Sequence, residues 1–138
     1  MSQTPFTTHL RVRYSETDQM GTFYNSRALE WFEVGRTEAL RFMGLPYAEM
    51  ETRGIFLPLV EANVRFLGPA RYDDLLEMTV RLAPEGKARL RFDVEIVHDR
   101  PAREPVVRGS TVHAVTNHDG RPVRPPQWLR KLLSQQPE

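Results

Sequence analysis

Residues 13–32 read RYSETDQMGTFYNSRALEWF. They set one carboxylate, Asp18, a few positions ahead of the start of a helix, with Gly21, Tyr24 and Asn25 between. An ionised carboxylate can attack an activated carbonyl carbon or take a proton from water. A helix N-terminus supplies unpaired N–H groups and the positive end of a dipole, which suit an oxygen gaining negative charge. The loop from Gln19 to Tyr24, with Met20 and a glycine that allows close backbone approach, can bring Asp18 against such a carbonyl. The competing reading is plainer: aspartate is a common turn and cap residue. Asn25 cannot transfer a proton, so it orients a group, binds water or caps the helix.

The other polar candidates carry less chemistry. His9, His98, His113 and His118 show no metal-ligand spacing, and His113 lies in a buried-looking strand, as a hydrogen-bonded core histidine would. Glu33 and Arg36 are spaced to pair along a helix. Glu61 interrupts an apolar strand, either lining a site or facing outward. Arg65, Lys87, Arg89 and Arg91 could meet phosphates, although alternating arginines also describe a solvated strand face.

The elements that must position these groups follow from periodicity. Leu10, Val12 and Tyr14 alternate with His9, Arg11 and Arg13, which predicts a strand with one buried face. From Ala28 the period becomes helical: Ala28, Phe32, Gly35, Ala39, Phe42 and Met43 share a face. Asn25 or Ser26 is the expected N-cap and Gly44 the expected stop, giving about five turns. Gly35 costs helix propensity, so it should allow close approach to something flat. Alternation at Val60–Phe66, Leu76–Leu82 and Leu90–Ile96 predicts three strands joined by short turns. VVRGSTVHAV reads as a fourth, buried on both faces, and PQWLRKLL as a closing helix.

Short turns argue against parallel crossovers. The order implies an α+β fold in which a largely antiparallel sheet of about five strands wraps one long helix. The 138 residues form a single domain with no linker or repeat. A net charge of +1 gives no electrostatic case for nucleic acid. No cysteine is present, which removes thiolate nucleophiles, disulfides and cysteine zinc sites. No apolar run approaches membrane-spanning length and the N-terminus lacks a signal-peptide core, which points to the cytoplasm.

The stretch RVRYSETDQMGTFYNSRALEWFEVGRTEALRFMG, with FLGPARYDDLLEMTVRL after it, resembles the 4-hydroxybenzoyl-CoA thioesterase-like branch of the hotdog-fold acyl-CoA thioesterases. The likeness runs from about Thr8 to about Leu133. Its most specific part is the Y-x-E-T-D-x-M-G-x-x-Y-N spacing from Tyr14 to Asn25, and PARYDD, Pro69 to Asp74, supports it. The resemblance implies a hotdog fold, a homodimer that joins sheets edge to edge and often pairs into a homotetramer, and a site at the dimer interface. It implies that Asp18 is the catalytic carboxylate and that Tyr24 supplies the backbone N–H of the oxyanion site. Many members of the branch carry histidine where Asn25 stands. Met20, Gly21, Glu61, Arg89 and Arg91 are the expected contacts of an acyl-CoA substrate. Neither a metal nor a bound cofactor is implied. A binding module for acyl-CoA or acyl-carrier protein on the same fold is the alternative that Asn25 keeps open.

Overall fold

The computed structural model describes residues 5–134. The first and last four positions of the 138-residue sequence lie outside the described residues. Strands β1 (Phe6–Arg11), β2 (Leu59–Phe66), β3 (Leu75–Glu85), β4 (Arg89–His98) and β5 (Pro105–Ala114) form one sheet in the order β1-β3-β4-β5-β2. Every neighbouring pair is antiparallel. Helix α1 (Arg27–Phe42) crosses the sheet's inner face, followed by a short α2 (Tyr47–Thr52), and α3 (Gln127–Ser134) closes the chain. The expected α+β architecture is therefore the observed one. No helix among the described residues is long and apolar enough to cross a membrane.

The clean alternation in β3 and β4 has a direct cause. Leu76, Met78, Val80 and Leu82, with Leu90, Phe92, Val94 and Ile96, all point under the helix and are buried. Trp31, Phe32, Ala39 and Leu40 of α1 meet them. At Gly35 an added Cβ would fall 2.5 Å from Met78 Sδ and 3.0 Å from Val80 Cγ2, so glycine sets how closely the helix lies on the sheet. Gly44, at φ 92°, ends α1: its N–H donates to the Arg41 carbonyl, and the Leu45 N–H donates to the Leu40 carbonyl. This double bond closes the last turn, as a left-handed residue after a helix commonly does.

Two expectations need correction, and a third is met in part. The first strand stops at Arg11, and Tyr14 lies instead in a 3-10 turn, Tyr14–Glu16, with its ring exposed and edge-on to Tyr72. Ser26 holds the expected N-cap position of α1, but without a side-chain cap hydrogen bond. The alternation in β2 does not mark a buried face: only Val64 is partly covered, while Leu59, Val60 and Phe66 are about half exposed. β2 pairs with β5 on one side and ends the sheet on the other, and only Val64 packs against the core. Helix α2 was not anticipated; at six residues it is too short to show a period.

Candidate active site

The segment before α1 is a small hairpin held at its base by a buried acid. Glu16 is only 4% exposed. Its carboxylate accepts hydrogen bonds from the Arg13 N–H (2.7 Å), the Trp31 indole N–H (3.0 Å) and the Arg13 guanidinium (3.2 Å). Burial pushes its carboxyl upward, but these hydrogen bonds and the Arg13 charge outweigh it and hold the group below its ordinary range. Trp31 needs an acceptor because a buried indole N–H is costly unpaired. One side chain thus ties the 3-10 turn to the middle of the second helical turn.

Beyond Glu16 the chain folds back on itself. Thr17 and Phe23 form an antiparallel bridge, and the Asp18 N–H donates to the Thr22 carbonyl at 2.9 Å. The Gly21 N–H returns to the Asp18 carbonyl at 2.9 Å, with Gly21 at φ 84°. Asp18 Oδ1 accepts the Met20 N–H at 2.8 Å, while Oδ2 has no partner among the described residues. Asp18 is therefore a turn residue in one sense, since one oxygen sets the turn. The second oxygen stays unengaged on a half-buried, fixed carboxylate.

The PARYDD segment fixes this hairpin from the other side. Ala70, fully buried, accepts the Phe23 N–H at 2.9 Å and exchanges hydrogen bonds with the Thr22 hydroxyl. Asp73 and Asp74 bond through their backbones to Val12. The two sequence stretches that occur together are thus the two halves of one clamp.

At the helix entrance the Tyr24 N–H donates to the Glu16 carbonyl at 2.8 Å. The amide expected to serve an oxyanion is thus already engaged within the hairpin. Tyr24 and Asn25 accept, through their carbonyls, the Arg27 and Ala28 N–H groups. The N–H groups of Asn25 and Ser26 have no acceptor among the described residues. Asn25 borders a depression of about 350 Å³ with Thr22, Phe23 and Phe66–Pro69, its floor largely apolar.

Within one chain the remaining expected contacts stand apart. Met20 and Gly21 sit at the exposed tip of the Asp18 hairpin. Glu61 is exposed on β2, five residues and roughly 17 Å from Phe66 along the strand. Arg89 and Arg91 begin β4, at the end of the sheet opposite Ile96, which shares Val107 with Phe66. Arg91 is taken up by Asp93 and Glu85, at 3.2 Å and 2.6 Å, and its pKa is raised chiefly by the Asp93 hydrogen bond. Arg89 borders a second depression with Lys87, Arg124 and Arg130.

His113 is the core histidine expected: buried, bonded to the Leu57 carbonyl and the Thr111 hydroxyl at 3.0 Å each, its pKa lowered mainly by burial. Glu33 and Arg36 do not form the expected ion pair within 4 Å. Sequence reasoning missed the meeting of His9 with Glu77 and Asp99, which strand register alone brings about; Glu77 is engaged there by Arg103 at 2.6 Å. It also missed Glu16, although a tryptophan needing an acceptor was in view.

A curved antiparallel sheet around one helix, with an acid-bearing hairpin at that helix's entrance, is the architecture of a thioesterase-like protein. The profile of the Thioesterase-like superfamily matches residues 12–133, and the chain belongs to that superfamily. YneP of Bacillus subtilis, named as a candidate acyl-CoA thioesterase, is 42% identical over 65 residues, which is 47% of each chain. The acyl-CoA thioester hydrolase YbgC of Escherichia coli is 29% identical over 98 residues, 71% of this chain and 73% of YbgC. The 4-hydroxybenzoyl-CoA thioesterase of Pseudomonas sp. strain CBS-3 superposes with a TM-score of 0.83 across 93% of this chain and 98% of its own. At 20% identity that likeness shows the hotdog fold.

Proposed function

We propose that the protein hydrolyses acyl-CoA thioesters to a free acid and coenzyme A. The observation that carries this reading is the pairing, at one helix entrance, of a fixed carboxylate oxygen, Asp18 Oδ2, with two unengaged amides, Asn25 and Ser26. The Asn25 N–H takes the oxyanion role first expected of Tyr24, and α1 adds the positive end of its dipole. Asp18 either attacks the thioester carbonyl, giving an anhydride that water opens, or takes a proton from the attacking water. In the first route the C–S bond breaks as the anhydride forms and the sulfur leaves as thiolate, the proton coming only from the water that later opens the anhydride. In the second the C–S bond breaks after water adds, and the proton taken by Asp18 passes to the leaving sulfur. The chemistry needs a carboxylate, amides and water, so no metal or bound cofactor is proposed. Such an enzyme works where coenzyme A esters are made, in the cytoplasm.

The site is completed by a second copy of the chain. The free edge of β2 carries exposed Leu59, Val60 and Phe66, and Leu29 and Val34 of α1 are exposed too. An unpaired strand edge with apolar side chains is a pairing surface. Antiparallel joining of two β2 edges would set Glu61 of the partner subunit, and that subunit's Arg89 end of the sheet, toward this chain's Asn25. A homodimer, pairing further to a homotetramer, thus reunites the separated contacts. The test is thiol release from a panel of acyl-CoA esters by purified protein. Saturable binding without release would favour the alternative, a binding module, which the missing proton-transfer group at Asn25 would suit.

A further inference from the structure

Midway along α1 lies a cavity of about 130 Å³. Its walls are apolar where Leu40, Leu57 and Phe92 close it, and polar where Arg36, Thr37, Tyr47, Glu33 and His113 line it. Arg36 is half-buried and forms no hydrogen bond or ion pair with any described residue. Glu33 and Tyr47 reach it only as longer-range charges, and burial lowers its pKa. The Tyr47 hydroxyl accepts the Leu57 N–H at 3.1 Å, which leaves its own proton without an acceptor among the described residues. Half-burying a guanidinium with nothing on it costs solvation that the fold does not recover. A mainly polar chamber with unclaimed donors and an apolar end suits a group that carries an acceptor.

The helical spacing also sets the chamber in line with the proposed reaction centre. Asn25, Leu29, Arg36 and Leu40 fall on one stripe of α1 by their spacing, and Leu29 between them is 40% exposed. Arg36 is eleven residues past Asn25, roughly 16 Å along the axis, and a helical side chain leans back toward the N-terminus, which shortens that gap. Glu33 stands at the exposed rim, where water keeps it, and does not claim the guanidinium. His113 has both ring nitrogens occupied and stays out of the exchange.

We propose that this cavity binds the terminal carboxylate of an acyl chain, so that the substrates are thioesters of medium-length dicarboxylic acids. Arg36 would take the carboxylate through its planar fork and Tyr47 would add an O–H donor. The proposal rests on the thioesterase reading for its link to turnover, and the cavity itself can be tested without it.

The experiment compares suberyl-CoA with octanoyl-CoA, which differ only at the far end, on the parent, Arg36→Gln and Tyr47→Phe. The parent should show at least tenfold higher kcat/KM for the suberyl ester. Arg36→Gln should bring that ratio close to one through KM, with a smaller fall for Tyr47→Phe. Hydrolysis of both esters at equal efficiency by the parent, or an undiminished ratio in Arg36→Gln, overturns the proposal and leaves the thioesterase reading intact. If the parent hydrolyses neither ester, the wider acyl-CoA panel decides the thioesterase reading, and calorimetric binding of the same two esters decides the cavity. Tighter suberyl-CoA binding that Arg36→Gln abolishes supports the carboxylate site, and equal binding overturns it.

Discussion

Replacing Glu16 with glutamine should reveal how the hairpin is held. The carboxylate accepts from two fixed donors, the Arg13 N–H and the Trp31 indole, one on each oxygen, and from the Arg13 guanidinium. An amide keeps one acceptor and turns an NH₂ toward the other donor. One buried charge-assisted bond is lost and one donor is left facing a donor, a cost of about 2–4 kcal/mol. For a chain of this length that lowers Tm by about 8–16 °C. The pH dependence has a definite sign. Burial raises the Glu16 pKa, the hydrogen bonds and the Arg13 charge together lower it by more, and the net folded value lies below the ordinary 4.5. The stabilisation is therefore complete above pH 4.5 and is lost as pH falls through the folded value. Urea unfolding of Glu16→Gln and its parent, at pH 7 and in acid below that value, reads both effects. A variant within about 0.5 kcal/mol of the parent at neutral pH, or a difference that does not narrow in acid, would refute the reasoning.

Three further outcomes are expected. Gly35→Ala should lose about 1 kcal/mol in urea unfolding, because a Cβ set 2.5 Å from Met78 Sδ overpacks a closed core by more than the roughly 1 kcal/mol that helix propensity returns; a more stable variant would show that Met78 gives way freely. Asn25→Ala keeps the backbone N–H, so its thioester turnover should fall by less than about tenfold; a loss beyond about a hundredfold would assign the work to the side chain instead of the amide. Val60→Lys places a charge on the open edge of β2 and should convert the oligomer to monomer by sedimentation, with activity falling alongside; an unchanged oligomer would move the interface elsewhere.

What could be read from the sequence divides along one physical line. β3 and β4 were legible because one face of each lies under α1, so burial imposes the alternation directly. β2 alternates as well, yet its apolar residues are exposed; periodicity records that a face is apolar, not what covers it. The helix stop at Gly44 and the close approach at Gly35 were legible because each depends on a local property of glycine. Glu16 was not, since its partner is fifteen residues away and is reached only once the 3-10 turn forms. The engagement of the Tyr24 amide by the Glu16 carbonyl is not legible in the sequence, because it depends on how the hairpin folds back. Arg89 and Arg91 look alike as alternating cations, but the Arg91 side chain reaches diagonally across the β3–β4 register to Glu85, although Arg89 stands directly opposite that residue.

The central claim is that Asp18 is a reagent, and Asp18→Asn tests it most directly. Asparagine retains an oxygen for the Met20 N–H and is as good a turn residue, so the hairpin and the thermal midpoint should be preserved. It removes the charge on the unengaged oxygen and with it the nucleophile or base. Thiol release from the best acyl-CoA ester and Tm, measured on the same preparation, should show turnover down by roughly a hundredfold or more at an unchanged midpoint. An Asp18→Asn protein that hydrolyses that ester at near the parental rate would contradict the account.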